Sequence, residues 1–402
     1  MDRKSSAPRR PEDLTPGWLT ACLRHAGVLR EANVTGTDVE QIGVGRGFAA
    51  RLYRIRLRYD RPEADAPATL IGKFPAEHAS TLSMLTELGG YVKEVRFYGE
   101  LGGAVDMPMP RCYFAHHDAE AQSFVLLLED LAPAAAVDPV AGLTLEQAKG
   151  VLGHVARMHA RSWNRTAGLE WLAPPDEVVH MLRRRYLAAL DPFSVLFAER
   201  FPHLVKVARQ FGWVLRGEEF MREIKRPPQT LTHGDLHVEN MLFPTAAGGR
   251  FAVVDWQLAM LSRHGATDVT RIIAMGVRPE VRRAHEDELL RHYHAELRAH
   301  GVRGYSLRAL RRHYRREMGS QLLVAVVAFG SLDVGAAGMF TELFVSRLDA
   351  ALADLGTHRL FGCMIAVLWP IRALSNAWLA LRRGAHRRTS HDSDPAAPVT
   401  DR

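Results

Sequence analysis

The chain has 402 residues, of which 47% are hydrophobic and 24% charged, with a net charge of +7 and three cysteines. This composition is typical of a globular protein long enough for two lobes with separate cores, and it argues against a small domain held by disulfides. The modest positive charge includes no stripe of interleaved basic and aromatic residues, so nucleic-acid binding is not indicated.

The cysteines and the N-terminus indicate the compartment. Cys22, Cys112 and Cys363 are widely separated and lack metal-ligand spacing, so we expect reduced thiols. Residues 1–12 are polar, are expected to be disordered and contain no apolar signal-peptide core. These features predict a cytoplasmic protein.

The first ordered elements form a helix and two strands. Thr15 as N-cap, Pro16 in the first turn and Gly27 after the last turn predict a short helix. Residues 38–59 then alternate apolar and polar side chains, most regularly in RLYRIRLRY at 51–59, which predicts two strands.

A glycine-rich turn, GVGRGF, joins these strands. Gly43, Gly45 and Gly47 allow the backbone to approach a ligand closely and to offer its amides to phosphate groups. An ordinary hairpin turn explains the same glycines equally well. The lysine-containing strand that follows favours the phosphate interpretation.

That strand, residues 68–75, carries one lysine among apolar residues. Burying Lys73 without a partner would be costly, so an acidic partner is expected. Glu94 lies close to the buried face of the next predicted helix. We predict that Lys73 holds the inner phosphates of a nucleotide and that Glu94 positions Lys73. A purely structural ion pair is the alternative.

The middle of the chain is predicted to be mainly helical. Residues 123–131 form an apolar strand, and residues 144–163 have helical periodicity that includes His159, which we interpret as a packing or hydrogen-bonding residue. Residues 176–226 are predicted to form two or three helices, interrupted near Pro192 and Pro202.

The most informative arrangement of polar side chains lies in residues 230–257. Two short apolar runs, 240–243 and 251–254, flank a turn rich in Pro and Gly and predict a hairpin. Asp235 and Asn240 are five residues apart before the hairpin, and Asp255 follows it. This is the spacing of a kinase catalytic loop followed by its metal-binding aspartate.

Phosphoryl transfer explains why these residue types occur together. Asp235 would orient an acceptor hydroxyl and take its proton. Asn240 and Asp255 would supply hard oxygen ligands for Mg²⁺, which prefers one or two such ligands together with phosphate oxygens and water. Asp and Asn also build ordinary polar turns, which is the alternative interpretation.

The motif HGDLHVENMLF followed by VVDWQ resembles the aminoglycoside phosphotransferase and choline kinase superfamily, and most of all its ecdysteroid kinase-like branch. The resemblance implies an α+β, bilobal protein-kinase-like fold. Its N-lobe would span residues 13–130 and its larger, mostly helical C-lobe residues 131–357. It also implies ATP or GTP as phosphoryl donor, Mg²⁺, and a small molecule with a hydroxyl group as acceptor.

The resemblance implies further roles for individual residues. Backbone groups of Glu129, Asp130 and Leu131 would form the hinge that contacts the base. His233 and Asp268 would support the catalytic loop, although Asp268 could equally cap a helix. The segment 176–226 would help to form the acceptor pocket. Its ten basic and seven acidic residues disfavour a polycationic aminoglycoside.

The C-terminal region is the least explained by the motifs. Residues 358–384 form an apolar, helical extension that contains Pro370, at which we expect a break, and residues 385–402 are expected to be a disordered tail. The extension could pack on the C-lobe, mediate a homodimer, or lie on a membrane surface with its arginines at the lipid headgroups. Packing is favoured, and no transmembrane segment is predicted. Monomer and homodimer both remain open.

Two other functions fit part of the pattern. A nucleotide-binding regulatory module without turnover, a pseudokinase, is the main alternative to a small-molecule kinase. A protein kinase is disfavoured because no activation segment ending in Ala-Pro-Glu follows Asp255.

Overall fold

The computed structural model describes residues 7–43, 50–120, 123–217, 223, 225–331 and 338–389. Five strands form an antiparallel sheet in the N-terminal part of the chain, in the order β1-β2-β3-β5-β4. They are β1 (Val34–Ile42), β2 (Ala50–Tyr59), β3 (Thr69–Pro75), β4 (Cys112–Asp118) and β5 (Ser123–Glu129).

The sheet separates two hydrophobic cores. Strand β5 is apolar at successive positions because its side chains alternate between them: Val125 and Leu127 enter the smaller core, whereas Phe124 and Leu126 enter the larger one. Helix α1 (Pro16–His25) covers the smaller core. The predicted N-cap of this helix is present, since the Thr15 side chain accepts a hydrogen bond from Trp18 N at 3.3 Å.

Two short helices lie between β3 and β4, α2 (Ala79–Glu87) and α3 (Gly90–Arg96). Helix α3 faces the larger core with Tyr91, which tilts against Phe124 at a ring distance of 4.7 Å. This packing fixes the rotation of α3 and turns Glu94, which is fully buried, toward the strand that carries Lys73.

The remainder of the described chain is mainly helical and encloses the larger core. Its helices are α4 (Leu145–Ser162), α5 (Asp176–Phe197), α6 (Pro202–Leu215), α7 (Ala266–Thr270), α8 (Pro279–Ala299), α9 (Leu307–Arg316), α10 (Met318–Ser331), α11 (Gly338–Asp354) and α12 (Thr357–Thr389). A sheet-containing lobe followed by a larger helical lobe confirms the predicted bilobal α+β fold.

The expected interruption at Pro192 was wrong. Helix α5 continues through Pro192, whereas Pro202 does mark a helix boundary and occupies the first position of α6. A proline inside a helix removes one hydrogen bond and costs about 3 kcal/mol. Here the same helical segment buries Leu190, Phe193 and Phe197, and this burial offsets the lost bond.

Two small sheets support the cluster of polar residues. Strands β6 (Ala135–Ala136), β8 (Met241–Phe243) and β9 (Ala252–Val253) form one, and β7 (Gln229–Thr232) pairs with β10 (Met260–Arg263) in the other. Antiparallel pairing of β8 with β9 is the predicted hairpin.

The C-terminal helix α12 packs by its first half and is exposed farther on. The Phe361 ring stacks on Phe211, and Arg372 lies over the ring of Trp213. Val367, Trp369, Ile371 and Leu374 are more than half exposed. The expected break at Pro370 was wrong, because the helix continues through this residue to Thr389, beyond the predicted end of the extension at residue 384.

Within the described part of the chain, no single helix is both long and apolar enough to cross a membrane. One bent pair, Thr341–Asp354 with Thr357–Leu374 at an angle of 65°, meets those criteria only when its two helices are taken together.

Candidate functional site

The loop that carries Asp235 follows β7 through a sharp turn at Gly234. Gly234 has a φ of +84°, and a Cβ atom at this position would lie 2.2 Å from the backbone oxygen of Leu258. Both the dihedral angle and the lack of space therefore require glycine between His233 and Asp235.

Replacing Gly234 with alanine should destabilise the protein by ~1–3 kcal/mol, because the Cβ must displace the backbone that it meets. Gly150 provides a matched control, since it lies inside α4 with no atom within 4 Å of a built Cβ. Gly150→Ala should stabilise the protein by ~0.5–1 kcal/mol. Chemical denaturation of both variants measures the difference, and equal effects would contradict the strain at Gly234.

Asp268 holds the turn from below. Its carboxylate accepts hydrogen bonds from the backbone amides of His233 at 2.8 Å and Gly234 at 3.0 Å, and it lies 3.2 Å from His159 Nε2. The opposite nitrogen of His159 contacts the Tyr293 hydroxyl at 2.8 Å. All of these side chains are fully buried. Burial alone would raise the pKa of Asp268, but the bond with His159 and the His233 amide bring it below its usual value.

Asp235 projects from this turn with 29% of its side chain exposed. One carboxylate oxygen accepts a hydrogen bond from Arg271 Nη2 at 2.6 Å, and the backbone oxygen accepts one from Asn240 Nδ2 at 3.0 Å. Burial would raise the pKa of Asp235, but the Arg271 guanidinium brings it below its usual value. The group is therefore a carboxylate at neutral pH.

An ion pair between Lys73 and Asp255 links the two lobes. Lys73 Nζ lies 2.7 Å from Glu94 Oε1 and 2.9 Å from Asp255 Oδ1. Burial would lower the pKa of Lys73, but the two carboxylates raise it above its usual value, so the ammonium is charged. Asp255 has a φ of +68° and keeps 29% of its side chain exposed.

Backbone contacts join the two aspartate loops. His233 Nε2 lies 3.0 Å from the backbone oxygen of Val254, and the amide of Val254 donates to the backbone oxygen of Asn240 at 3.0 Å. The fully buried Trp256 stacks on Phe97 and lies against His233. Asp235, Asn240 and Asp255 are thus held on adjacent segments at the junction of the lobes.

Of the two segments predicted to contact the nucleotide, the hinge lies within the described residues and the glycine-rich turn does so only in part. Gly43 has a φ of +68°, whereas Gly45 and Gly47 lie outside the described residues. Glu129 and Asp130 use their side chains in ion pairs with Arg250 and Arg54, both at 2.6 Å. Any contact of the hinge with a base would therefore come from the backbone, including Leu131.

Sequence reasoning did not identify Arg271 as a site residue. The spacing could have indicated it, because Arg271 follows Asp268 by three residues in a helical segment. The two side chains therefore project from nearly the same face of that segment. Arg271 is 5% exposed and also donates to Gln321 Oε1 at 3.0 Å. His159, interpreted as a hydrogen-bonding residue, lies beneath the Asp235 loop through its contact with Asp268.

Asn240 and Asp255 fit a magnesium ion that is shared with phosphate groups. Asn240 donates through Nδ2 to the backbone oxygen of Asp235, so its Oδ1 would be the atom available to a metal, and Asp255 would add a carboxylate. No group of three or more His, Cys, Asp or Glu residues in the described chain could hold a metal by itself. Mg²⁺ in phosphotransferases needs only one or two protein ligands, so this donor set is sufficient.

The comparison with family models agrees with this geometry. The model of the ecdysteroid kinase-like family matches residues 44–303, which is more than half of the chain. The chain belongs to the ecdysteroid kinase-like family. The matched range contains Lys73, Glu94, Asp235, Asn240 and Asp255. The predicted superfamily and its branch are therefore confirmed.

The chain is also similar in sequence to a curated protein. An uncharacterised kinase-like protein of Caenorhabditis elegans is 25% identical over 215 residues, which cover 52% of this ecdysteroid kinase-like chain and 57% of that relative. The chain thus spans little more than half the length of this curated relative.

Solved structures show the same fold at low identity. A Ralstonia eutropha protein, provisionally assigned as an aminoglycoside phosphotransferase, superposes with a TM-score of 0.51 and 14% identity, covering 85% of this chain and 97% of that one. The GDP complex of a mutant aminoglycoside 2'-phosphotransferase IIIa gives a TM-score of 0.51 and 13% identity, covering 80% and 92%. These likenesses confirm the kinase-like fold.

Proposed function

We propose that this ecdysteroid kinase-like protein is a small-molecule kinase that transfers the γ-phosphoryl group of ATP to an acceptor hydroxyl with Mg²⁺. The observation that carries the proposal is the position of Lys73, which contacts both Glu94 and Asp255 across the lobe junction. A merely structural ion pair needs one carboxylate, and the second one here belongs to the segment that would hold the metal.

The chain's own residues supply positioning and proton transfer. Asp235 accepts the hydrogen bond of the acceptor hydroxyl and takes its proton as the hydroxyl oxygen bonds to the γ-phosphorus. The bond from that phosphorus to the bridging oxygen breaks, and ADP leaves with the electron pair. Lys73 binds the inner phosphates, and Glu94 keeps Lys73 in place. When bound to Asn240 and Asp255, Mg²⁺ would neutralise charge on the phosphate oxygens.

The acid side of the pH–rate profile should reflect the lowered pKa of Asp235. A general base must be deprotonated, and a lowered pKa keeps it so at more acidic pH. We therefore expect kcat/KM to stay flat as pH falls from about 7 to about 5 and to decline only below the usual carboxyl pKa of ~4. A decline centred near pH 6 to 7 would assign the base to another group.

The proposed function is tested by Mg²⁺-dependent ADP release from ATP with a panel of hydroxyl compounds. The panel should contain sugars, sterols, choline-like alcohols, hydroxylated lipids, hydroxy acids and aminoglycosides. Acceptor-dependent ADP release, with the phosphorylated acceptor detected by mass spectrometry, is the expected result. ATP binding without turnover on any acceptor would instead support a non-catalytic nucleotide-binding module.

A further inference from the structure

A cavity of about 30 Å³ lies next to the Asp235 loop and is lined by two buried arginines, among other residues. Arg271 and Arg347 line it together with His237, Phe344, Leu343 and Met275. Arg271 is 5% and Arg347 4% exposed. Two buried positive charges beside one small cavity are costly unless negatively charged groups lie close to them.

Arg271 uses only part of its hydrogen-bonding capacity. A guanidinium has five N–H groups, and Arg271 donates one to Asp235 and one to Gln321. Its Nε is buried and has no partner among the described residues. The Phe344 ring covers one face of the guanidinium, with Cζ 4.9 Å from the ring centre. The group is thus fixed in orientation while it still has unused donors.

Arg347 pairs with no carboxylate within 4 Å among the described residues. It donates instead to the backbone oxygens of Met275 at 3.0 Å, Pro139 at 2.7 Å and Val140 at 3.1 Å. Carbonyl oxygens hold the side chain in place, but they carry no full negative charge, so the guanidinium has no direct ion-pair partner. Phe344 and Arg347 are three residues apart on α11, so both project toward the same cavity.

The remaining polar group adds no positive charge at neutral pH. Burial lowers the pKa of His237, whose Nε2 lies 3.8 Å from the second carboxylate oxygen of Asp235. Arg271 forms an ion pair with Asp235, whereas the nearby carboxylates Asp138, Glu280 and Glu239 form no ion pair with either arginine. Among the described residues, Arg347 is therefore the arginine at this cavity without a direct anionic partner.

We propose that the acceptor is a hydroxy acid whose carboxylate binds Arg347 and Arg271 in this cavity while its hydroxyl reaches Asp235. This proposal rests on the proposed phosphotransferase function and specifies its substrate class. Arg271 would contact both the acceptor carboxylate and the catalytic base, so that carboxylate binding would orient the hydroxyl.

The size of the cavity favours a carboxylate over a phosphate group. The cavity is small, about 30 Å³, and a planar carboxylate needs less room in it than a tetrahedral phosphate group. A guanidinium also matches the two oxygens of a carboxylate in a bidentate arrangement. Phe344, Leu343 and Met275 provide apolar contacts for the carbon chain of the acceptor.

The first arm of the test measures anion binding without any turnover. Acetate is titrated against the full-length protein at constant ionic strength, with chloride as the reference and thermal unfolding as the readout. We expect acetate to stabilise the wild type but not Arg347→Met. Arg359→Met, a change at an exposed arginine, is the matched control, and Lys73→Met excludes binding at the nucleotide phosphate site. Both should respond to acetate like the wild type.

The second arm compares hydroxy acids with their primary amides as acceptors. Loss of a charged hydrogen bond should lower kcat/KM for the amides by roughly 10–100-fold. Arg347→Met should remove this preference and Arg359→Met should keep it. If Arg347→Met does not fold, Arg347→Lys keeps the charge but not the bidentate geometry and should show a reduced preference.

The outcomes separate the two proposals. An acetate response that persists in Arg347→Met, an equal use of acids and amides, or a stronger response to inorganic phosphate than to acetate would overturn the carboxylate site. Turnover of neutral acceptors without any acetate response would overturn it as well and leave the kinase function standing. An acetate response that depends on Arg347, without turnover of any acceptor, supports the anion site and overturns the kinase function.

Discussion

Asp235→Asn should lower the rate of phosphoryl transfer by ~10²–10⁴-fold and leave nucleotide affinity unchanged. Asparagine keeps an oxygen that can accept the Arg271 hydrogen bond, which is 2.6 Å long in the wild type, so the loop should retain its position. It cannot take a proton from the acceptor. The rate of a single turnover, measured beside ATP affinity by calorimetry, separates the loss of the base from a loss of binding.

Asp191→Asn is the matched control for this prediction. Asp191 lies on α5 with 82% of its side chain exposed, so the same chemical change should have no effect on transfer. A rate for Asp235→Asn within a few-fold of the wild type would show that another group takes the proton. A fall in ATP affinity equal to the fall in rate would place Asp235 in nucleotide binding instead.

Asp268→Ala should destabilise the protein by ~3–5 kcal/mol and abolish transfer. The substitution leaves the His233 and Gly234 amides and His159 Nε2 without their common acceptor in a site closed to water. Each unsatisfied buried donor costs ~1–3 kcal/mol. Urea denaturation measures the loss of stability, and activity is then compared under conditions where the variant remains folded.

Asp287→Ala controls for the loss of an aspartate from an ion pair. Asp287 contacts Arg291 and Arg311 at the surface with 49% of its side chain exposed, and its removal should change stability by no more than about 0.5 kcal/mol. The stability of Asp268→Asn should lie between the stabilities of Asp268→Ala and Asp287→Ala. Its amide nitrogen would face an N–H group from which the wild-type carboxylate accepts a hydrogen bond. Equal stability of Asp268→Ala and the wild type would contradict its role as the anchor of the loop.

Local patterns predicted the strands, the hairpin and the partner of Lys73, and the resemblance carried by the HGDLHVENMLF motif implied the fold class. The strand alternation around Ile55, the N-cap at Thr15 and the hairpin after Asn240 depend on neighbours in the chain, and the sequence contains that information. The predicted helix interruption at Pro192 was wrong. The free-energy cost of proline in a helix is a local property, whereas the burial that offsets it comes from contacts with distant parts of the chain.

The position of Arg271 is the clearest feature that the sequence did not predict. Sequence spacing relates Arg271 to Asp268, but its contact with Asp235 depends on how α7 packs beneath the catalytic loop. The second arginine, Arg347, comes from a helix more than seventy residues farther along the chain, and its carbonyl partners include Pro139 and Val140. No local pattern contains such a combination.

The sequence alone therefore determined which polar groups follow one another along the Asp235 loop and the hairpin, because residue spacing and strand periodicity are short-range properties. Only the tertiary structure decided which charges share a site. Ion pairs and cavities form between segments far apart in the chain, and their partners are selected by packing. The pairing of Lys73 with two carboxylates and the cavity between Arg271 and Arg347 both belong to this second category.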